Sequence, residues 1–142
     1  MTRAGRGRRE RGQALVEFSL GILIFLALFV GMIDLARAVF TFNGVAQAAR
    51  EIARETSVHP GTGAIGDSPE SLAAVATQVG LVPGLQSPVY ECYDIEGVLQ
   101  VDICQPADWV RVTAIATFQP SLPVLTMLGP LTLSSTSSAE IQ

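Results

Sequence analysis

From Phe18 to Ile33 sixteen residues pass without a charge, "FSLGILIFLALFVGMI". As a helix rising about 1.5 Å per residue this run is roughly 24 Å long, and carried back to Ala14 it reaches roughly 30 Å, one hydrocarbon core. It is apolar on every side, as a membrane span is. From Asp34 to Thr56, "DLARAVFTFNGVAQAAREIARET", the pattern becomes one-sided. Leu35, Val39, Phe42, Val45, Ala49 and Ile52 recur at helical spacing, which predicts an amphipathic continuation packing onto a domain. Glu51 and Arg54, three apart, can pair on its exposed face. Asn43-Gly44 is the weak point: glycine costs a helix about 1 kcal/mol relative to alanine, so a bend is allowed there. The whole reads as one helix of about 40 residues, all-apolar in its first half and one-sided in its second.

"SVHPGTGAIG", Ser57 to Gly66, is a loop of Pro and Gly. A short helix follows in "DSPESLAAVATQVG". It is capped either by Ser68 with Pro69 at its first position or by Asp67 with Glu70 three residues on, and Gly80 and Pro83 end it. After Pro88 the period changes to two. "YECYDIEGVLQVDIC" reads as a hairpin turning near Glu96-Gly97, with Leu99, Val101 and Ile103 facing one way. In "DWVRVTAIATF" the residues Val110, Val112, Ala114, Ala116 and Phe118 share a face, and Arg111, Thr113 and Thr117 take the other. "FQPSLPVLTMLGP" is an irregular loop, apolar enough to lie against the core or a membrane surface. "LTLSSTSSAEI" is a last strand with Leu131 and Leu133 inward. The fold class predicted is α+β, with three or four antiparallel strands covering one side of a helix.

Charge sharpens the membrane reading. Residues 1–12 carry a net +4 from five arginines and Glu10, whereas the remainder carries −8, so the overall −4 hides a basic tip on an acidic body. Residues 1–11, without apolar periodicity, are expected to be disordered. A basic tip followed at once by an apolar run fits a cytoplasmic membrane flank and places the body outside. An acidic body argues against nucleic acid as a partner. The 142 residues, 49% of them apolar, suffice for one modest domain and an anchor.

Cys92 and Cys104 are the two cysteines. Their spacing fits one disulfide across the hairpin in an oxidising compartment, the alternative being two buried free thiols. The lone His59 precedes Pro60 in a loop, too isolated for a metal site or a catalytic base. Asp94, Glu96 and Asp102 resemble an acid pair or calcium cluster but read more simply as the solvated face of a hairpin. No G-x-S-x-G, P-loop or H-E-x-x-H motif is present. No catalytic residue, metal or cofactor is therefore assigned, and the expectation is a protein that is not an enzyme.

Glu17 stands out. A carboxylate at the centre of a membrane helix costs about 2.5–3.5 kcal/mol on insertion scales, and less near an end. It is either an idle interfacial residue, an acid early in the apolar part of a secretory signal cut at Ala36-Arg37-Ala38, or a group kept for a partner.

"RGQALVEFSL" resembles the type IV pilin-like leader, a basic segment ending in Gly, then a Glu at the fifth position, then Phe and a long apolar stretch: Gly12, Glu17 and Phe18. More narrowly, the chain resembles the TadE/TadG-like family of tight-adherence pilus proteins, in "GQALVEF" and in the tail "WVRVTAIATFQPSLPVLTMLGPLTLSSTSSAE". The resemblance implies that a prepilin peptidase cuts after Gly12, leaving Gln13 as a new, commonly methylated, N-terminus. Pilins proper often begin with Phe or Met there, and Gln13 departs from that. Glu17, one helical turn from the new amine, would pair with the amine of a neighbouring subunit, with Phe18 beside it.

The sequence thus predicts a basic cytoplasmic leader (1–12), a transmembrane helix (13–34), its extracytoplasmic continuation (35–57) and an α+β head (58–142). The expected role is a minor pilin or pseudopilin in assembling a tight-adherence, Flp-type pilus. Its partners would be the prepilin peptidase, other pilin-like subunits, the pilus assembly platform and the bacterial cytoplasmic membrane. Leu20, Ile24 and Leu28 form a stripe open to neighbouring subunits or to lipid. The alternatives are a membrane-anchored envelope binding module outside any filament and, more remotely, a secreted hydrolase.

Overall fold

A computed structural model describes residues 6–100, 104–121, 126–127 and 129–142, with side chains from residue 12 onward. Helix α1 runs unbroken from Arg6 to Val58, 53 residues, and α2 from Pro69 to Leu81. Strands β1 (Val89–Tyr93), β2 (Leu99–Gln100), β3 (Trp109–Phe118) and β4 (Leu131–Glu140) form one antiparallel sheet in the order β2-β1-β3-β4. The fold is α+β, a long helix with a short helix and a four-stranded sheet laid on its carboxy-terminal half.

The helix begins earlier than its charge pattern suggested. Residues 6–11, expected to be disordered, are helical. Arginine and glutamate are good helix formers, and extending an existing helix adds one hydrogen bond per residue with no new nucleus to form. Nor is α1 interrupted at Asn43-Gly44. A Cβ on Gly44 would stand 3.1 Å from Val82 Cγ2, so the missing side chain lets the residue that caps α2 sit against α1.

One stripe of α1 meets the sheet. Val45, Ala48, Ala49, Ile52 and Ala53 pack against the inward row of β3, Val110, Val112, Ala114 and Ala116. The alternation expected in β3 is complete, with every even-numbered residue from Val110 to Phe118 buried. β4 adds Leu133, Ser135, Ser137 and Ala139 to that face, all half-buried. Leu131, expected inward, is exposed instead. It pairs with Phe118 at the end of the ladder, and the buried helix stripe is centred farther along, on Val45 to Ala53. The fully buried side chains are small, with Ile52, Val45, Val110 and Val112 the largest hydrophobic ones. Alanines and serines on the facing surfaces bring helix and sheet close, but each buries little apolar area.

Local chemistry closes the head. Ser68 caps α2 by accepting the Ser71 N–H at 3.1 Å, with Pro69 at the first helical position. The Ser68 and Ser71 hydroxyls also donate to the His59 carbonyl at 2.7 and 3.1 Å, joining the start of α2 to the chain just past α1. α2 passes through Gly80 and ends at Leu81, where the Val82 N–H donates to the Gln78 carbonyl. The β1–β2 hairpin turns over Asp94 to Gly97 as expected. The Asp94 carboxylate accepts the Glu96 and Val98 N–H groups at 2.9 and 2.8 Å and the Gln100 side chain at 2.9 Å. Gly97, at φ +81, supplies the left-handed residue this turn needs. Val101, Asp102 and Ile103, also assigned to this hairpin from the sequence, lie outside the described residues, as does most of the loop from Leu122 to Leu128.

Candidate functional site

Among the described residues, α1 is exposed at every position from Gly12 to Phe29. Its most apolar 18-residue window has a mean hydropathy of 2.5 and is 0% buried, which separates it from the core helix of a soluble protein. The helix is long and apolar enough to cross a membrane. Leu20, Ile24 and Leu28 all project from this bare cylinder, as do the residues between them, and Phe25 and Phe29 stack one turn apart. The expected stripe is therefore one line on a surface that is apolar all round.

Gly12 and Gln13 lie inside the same helix, exposed, and a Cβ on Gly12 would meet nothing within 4 Å. Glu17 is four residues past Gln13, hence on the same face one turn along, with Phe18 beside it. Both side chains are exposed, and among the described residues Glu17 has no hydrogen-bond or ion-pair partner. The structure thus places the predicted cleavage and pairing residues together on one open helical segment. An unpaired carboxylate on an otherwise apolar surface is a strong recognition element once desolvated, because it then requires a cationic partner.

A second charged group sits where the bare helix meets the head, and sequence reasoning passed over it. Asp34 is buried, 3% exposed. Its carboxylate accepts the Ser121 backbone N–H at 2.8 Å and the Arg37 guanidinium at 3.3 Å. Arg37 in turn donates to the Ser121 hydroxyl at 2.6 Å and lies over the Phe118 ring, 5.7 Å from its centroid. This joint ties the chain leaving β3 to the helix. The sequence carried a signal for it, an acid and a base three apart at the end of an apolar run. The third member, Ser121, is 87 residues from Asp34 and could not be read from spacing.

Cys92 and Cys104 are joined in a disulfide with a Cα–Cα distance of 5.8 Å, as the spacing suggested. Cys92 is buried and Cys104 half-buried against the core. Burial pushes the Tyr90 hydroxyl above its usual pKa, partly opposed by the Thr56 hydroxyl. His59 pairs with Glu55 at 3.2 Å on the helix surface. The Asp94 carboxylate is spent on its turn. Nothing among these groups brings a nucleophile to a base. The arrangement offers two surfaces, a bare apolar rod with one carboxylate near its start and a small cross-linked head, joined through Asp34.

Comparison with known families matches the family described as TadE-like protein, over residues 12–54. No curated protein and no solved structure matches the chain. The matched stretch starts at Gly12, takes in Glu17 and the bare cylinder, and ends at Arg54, just past the stripe that carries the sheet. Residues 12–54 of this chain, the apolar rod together with the seat of its head, are the part that is similar to the TadE-like family.

Proposed function

We propose that this protein is a minor pilin or pseudopilin that takes part in assembling a tight-adherence, Flp-type pilus. α1 anchors it in the bacterial cytoplasmic membrane in a single pass, with the arginine-rich end inside and the head outside. The prepilin peptidase removes the leader after Gly12, and Glu17 pairs with the amino terminus of a neighbouring subunit. Carrying this reading is Glu17, without a partner among the described residues, on a bare, membrane-length helix within the TadE-like stretch. In low dielectric an unpaired carboxylate is costly and a paired one tolerable, so Glu17 favours the axial register that brings a neighbour's amine to it. The Cys92–Cys104 disulfide supports a head on the oxidising side of the membrane, and the basic leader supports the same orientation.

In the native host, Glu17→Leu is expected to leave the protein in the membrane fraction while lowering its recovery from the sheared pilus fraction. Undiminished recovery of Glu17→Leu from pili would refute the pairing. A second reading, an anchored envelope module that is never processed, draws on the unbroken helix through Gly12-Gln13, since a peptidase must unwind a helix before cutting it.

A further inference from the structure

The exposed apolar surface of α1 does not stop at Asp34, where the uncharged run ends. Of the exposed positions that follow, Leu35, Ala36, Val39, Phe40 and Phe42 are apolar, and Arg37 is charged. The change comes at the residue after Phe42: Asn43, Gln47, Arg50, Glu51 and Arg54 are the exposed positions up to Val58, an apolar residue at the end of the helix. Two charges fall between Phe18 and Ala49, Asp34 and Arg37. Asp34 marks no water boundary, because it is buried against Ser121 and Arg37, whereas Arg37 keeps its guanidinium half exposed while reaching the Ser121 hydroxyl. A partly buried pair of this kind can sit in a membrane interface, with the arginine stem lying along apolar surface.

Geometry favours lipid over a second protein copy. Phe40 and Phe42 are two residues apart, so they project about 160° from each other around the helix, on opposite flanks of the stripe that seats the head. One neighbouring helix covers one flank, whereas a fluid interface covers both. Length agrees as well. Phe18 to Phe42 spans roughly 37 Å, against about 30 Å of hydrocarbon and about 40–45 Å with both headgroup layers. The surplus of roughly 7 Å belongs in the outer headgroup layer, where aromatic rings are favoured.

We infer that Leu35, Val39, Phe40 and Phe42 form a collar immersed in the headgroup–acyl boundary of the membrane, which seats the head directly on the lipid surface. This rests on α1 being a membrane anchor. The test uses the full chain reconstituted in phosphatidylcholine–phosphatidylglycerol vesicles whose acyl chains are brominated either close to the headgroup or close to the chain end. Trp109, the single tryptophan, lies at the far end of β3 from Phe118, level with Ser57. It stays bright in both lipids. In a Trp109→Phe background, Phe40→Trp and Phe42→Trp lose emission to the shallow bromines and Phe25→Trp to the deep ones. Should Phe25→Trp be quenched while Phe40→Trp or Phe42→Trp stays as bright as in plain vesicles, the collar is wrong and the anchor stands. With Phe25→Trp unquenched, the anchor fails and the collar with it.

Discussion

The Cys92–Cys104 bond should supply a large share of the head's stability. The sheet edge it secures has little else: β2 is two residues long, both exposed, and pairs with β1 through Cys92–Gln100 and Tyr93–Leu99. The cysteines are 12 apart in sequence, and closing a loop of that size in the unfolded chain costs about 2.8 kcal/mol at 25 °C by the chain-entropy relation. A domain of this kind is typically stable by about 5–15 kcal/mol, so the bond represents roughly a fifth to a half of the total. The upper part of that range is expected here, because no leucine or phenylalanine is among the largest fully buried side chains. Comparing oxidised with reduced wild type changes only the cross-link and leaves both sulfurs in place. Urea unfolding of the full chain in detergent, followed through Trp109, reads the sheet directly, since Trp109 pairs with Tyr93 in β1. With a slope of about 2 kcal/mol/M the midpoint should fall by roughly 1.4 M on reduction. Coincident midpoints would show that the hairpin is held by packing and that the loop-closure argument does not apply.

Three further outcomes follow from the same contacts. Asp34→Ala leaves the Ser121 N–H without its acceptor and should destabilise the joint by about 1.5–3 kcal/mol. Asp34→Asn, which keeps an oxygen there, should recover much of that loss, and hydrogen exchange at the Ser121 amide is the readout; equal exchange in all three proteins would contradict the joint. Ala107 sits at φ +78 in the turn before β3, a conformation that costs a side-chain-bearing residue about 1–2 kcal/mol. Ala107→Gly should therefore raise the denaturation midpoint even though it removes a methyl group, and an unchanged or lowered midpoint would refute the strain. Burial raises the Tyr90 hydroxyl above its usual value of 10.0. The folded state then holds its proton more tightly than the unfolded chain, so this contribution is complete below pH 10 and is lost as pH rises through the folded value. The alkaline fall in stability should be shallower in Tyr90→Phe; identical profiles would remove Tyr90 as its source.

Much of this architecture was legible because it depends on local periodicity. The all-apolar run, the second half of the predicted stripe and the strict alternation of β3 each follow from a repeat that one element imposes on its own residues. Val45, Ala49 and Ile52 of that stripe are packed, whereas Leu35, Val39 and Phe42 are exposed instead. Ser68, Pro69 and the Asp94–Gly97 turn were readable because capping and turn chemistry act over three or four residues. What escaped reading depends on contacts between distant segments. Gly44 looked like a weak point in a helix, and only its approach to Val82 shows that it admits a neighbour. Asp34 looked like the end of an anchor, and only Ser121 reveals it as a joint. Leu131 obeyed the strand alternation but lies beyond the stripe that would have covered it. Glu17 was conspicuous from the start, because a charge in an apolar run needs a reason that no local rule provides.

That reason rests on the state of the residue four positions before it. The most direct test is intact-protein mass spectrometry of the chain isolated from native membranes, with sequencing of its amino terminus. Processing as a pilin-like subunit predicts a mature chain beginning at Gln13, whose free amine can meet a neighbour's Glu17. An intact leader, or a chain beginning at Val39, would contradict it.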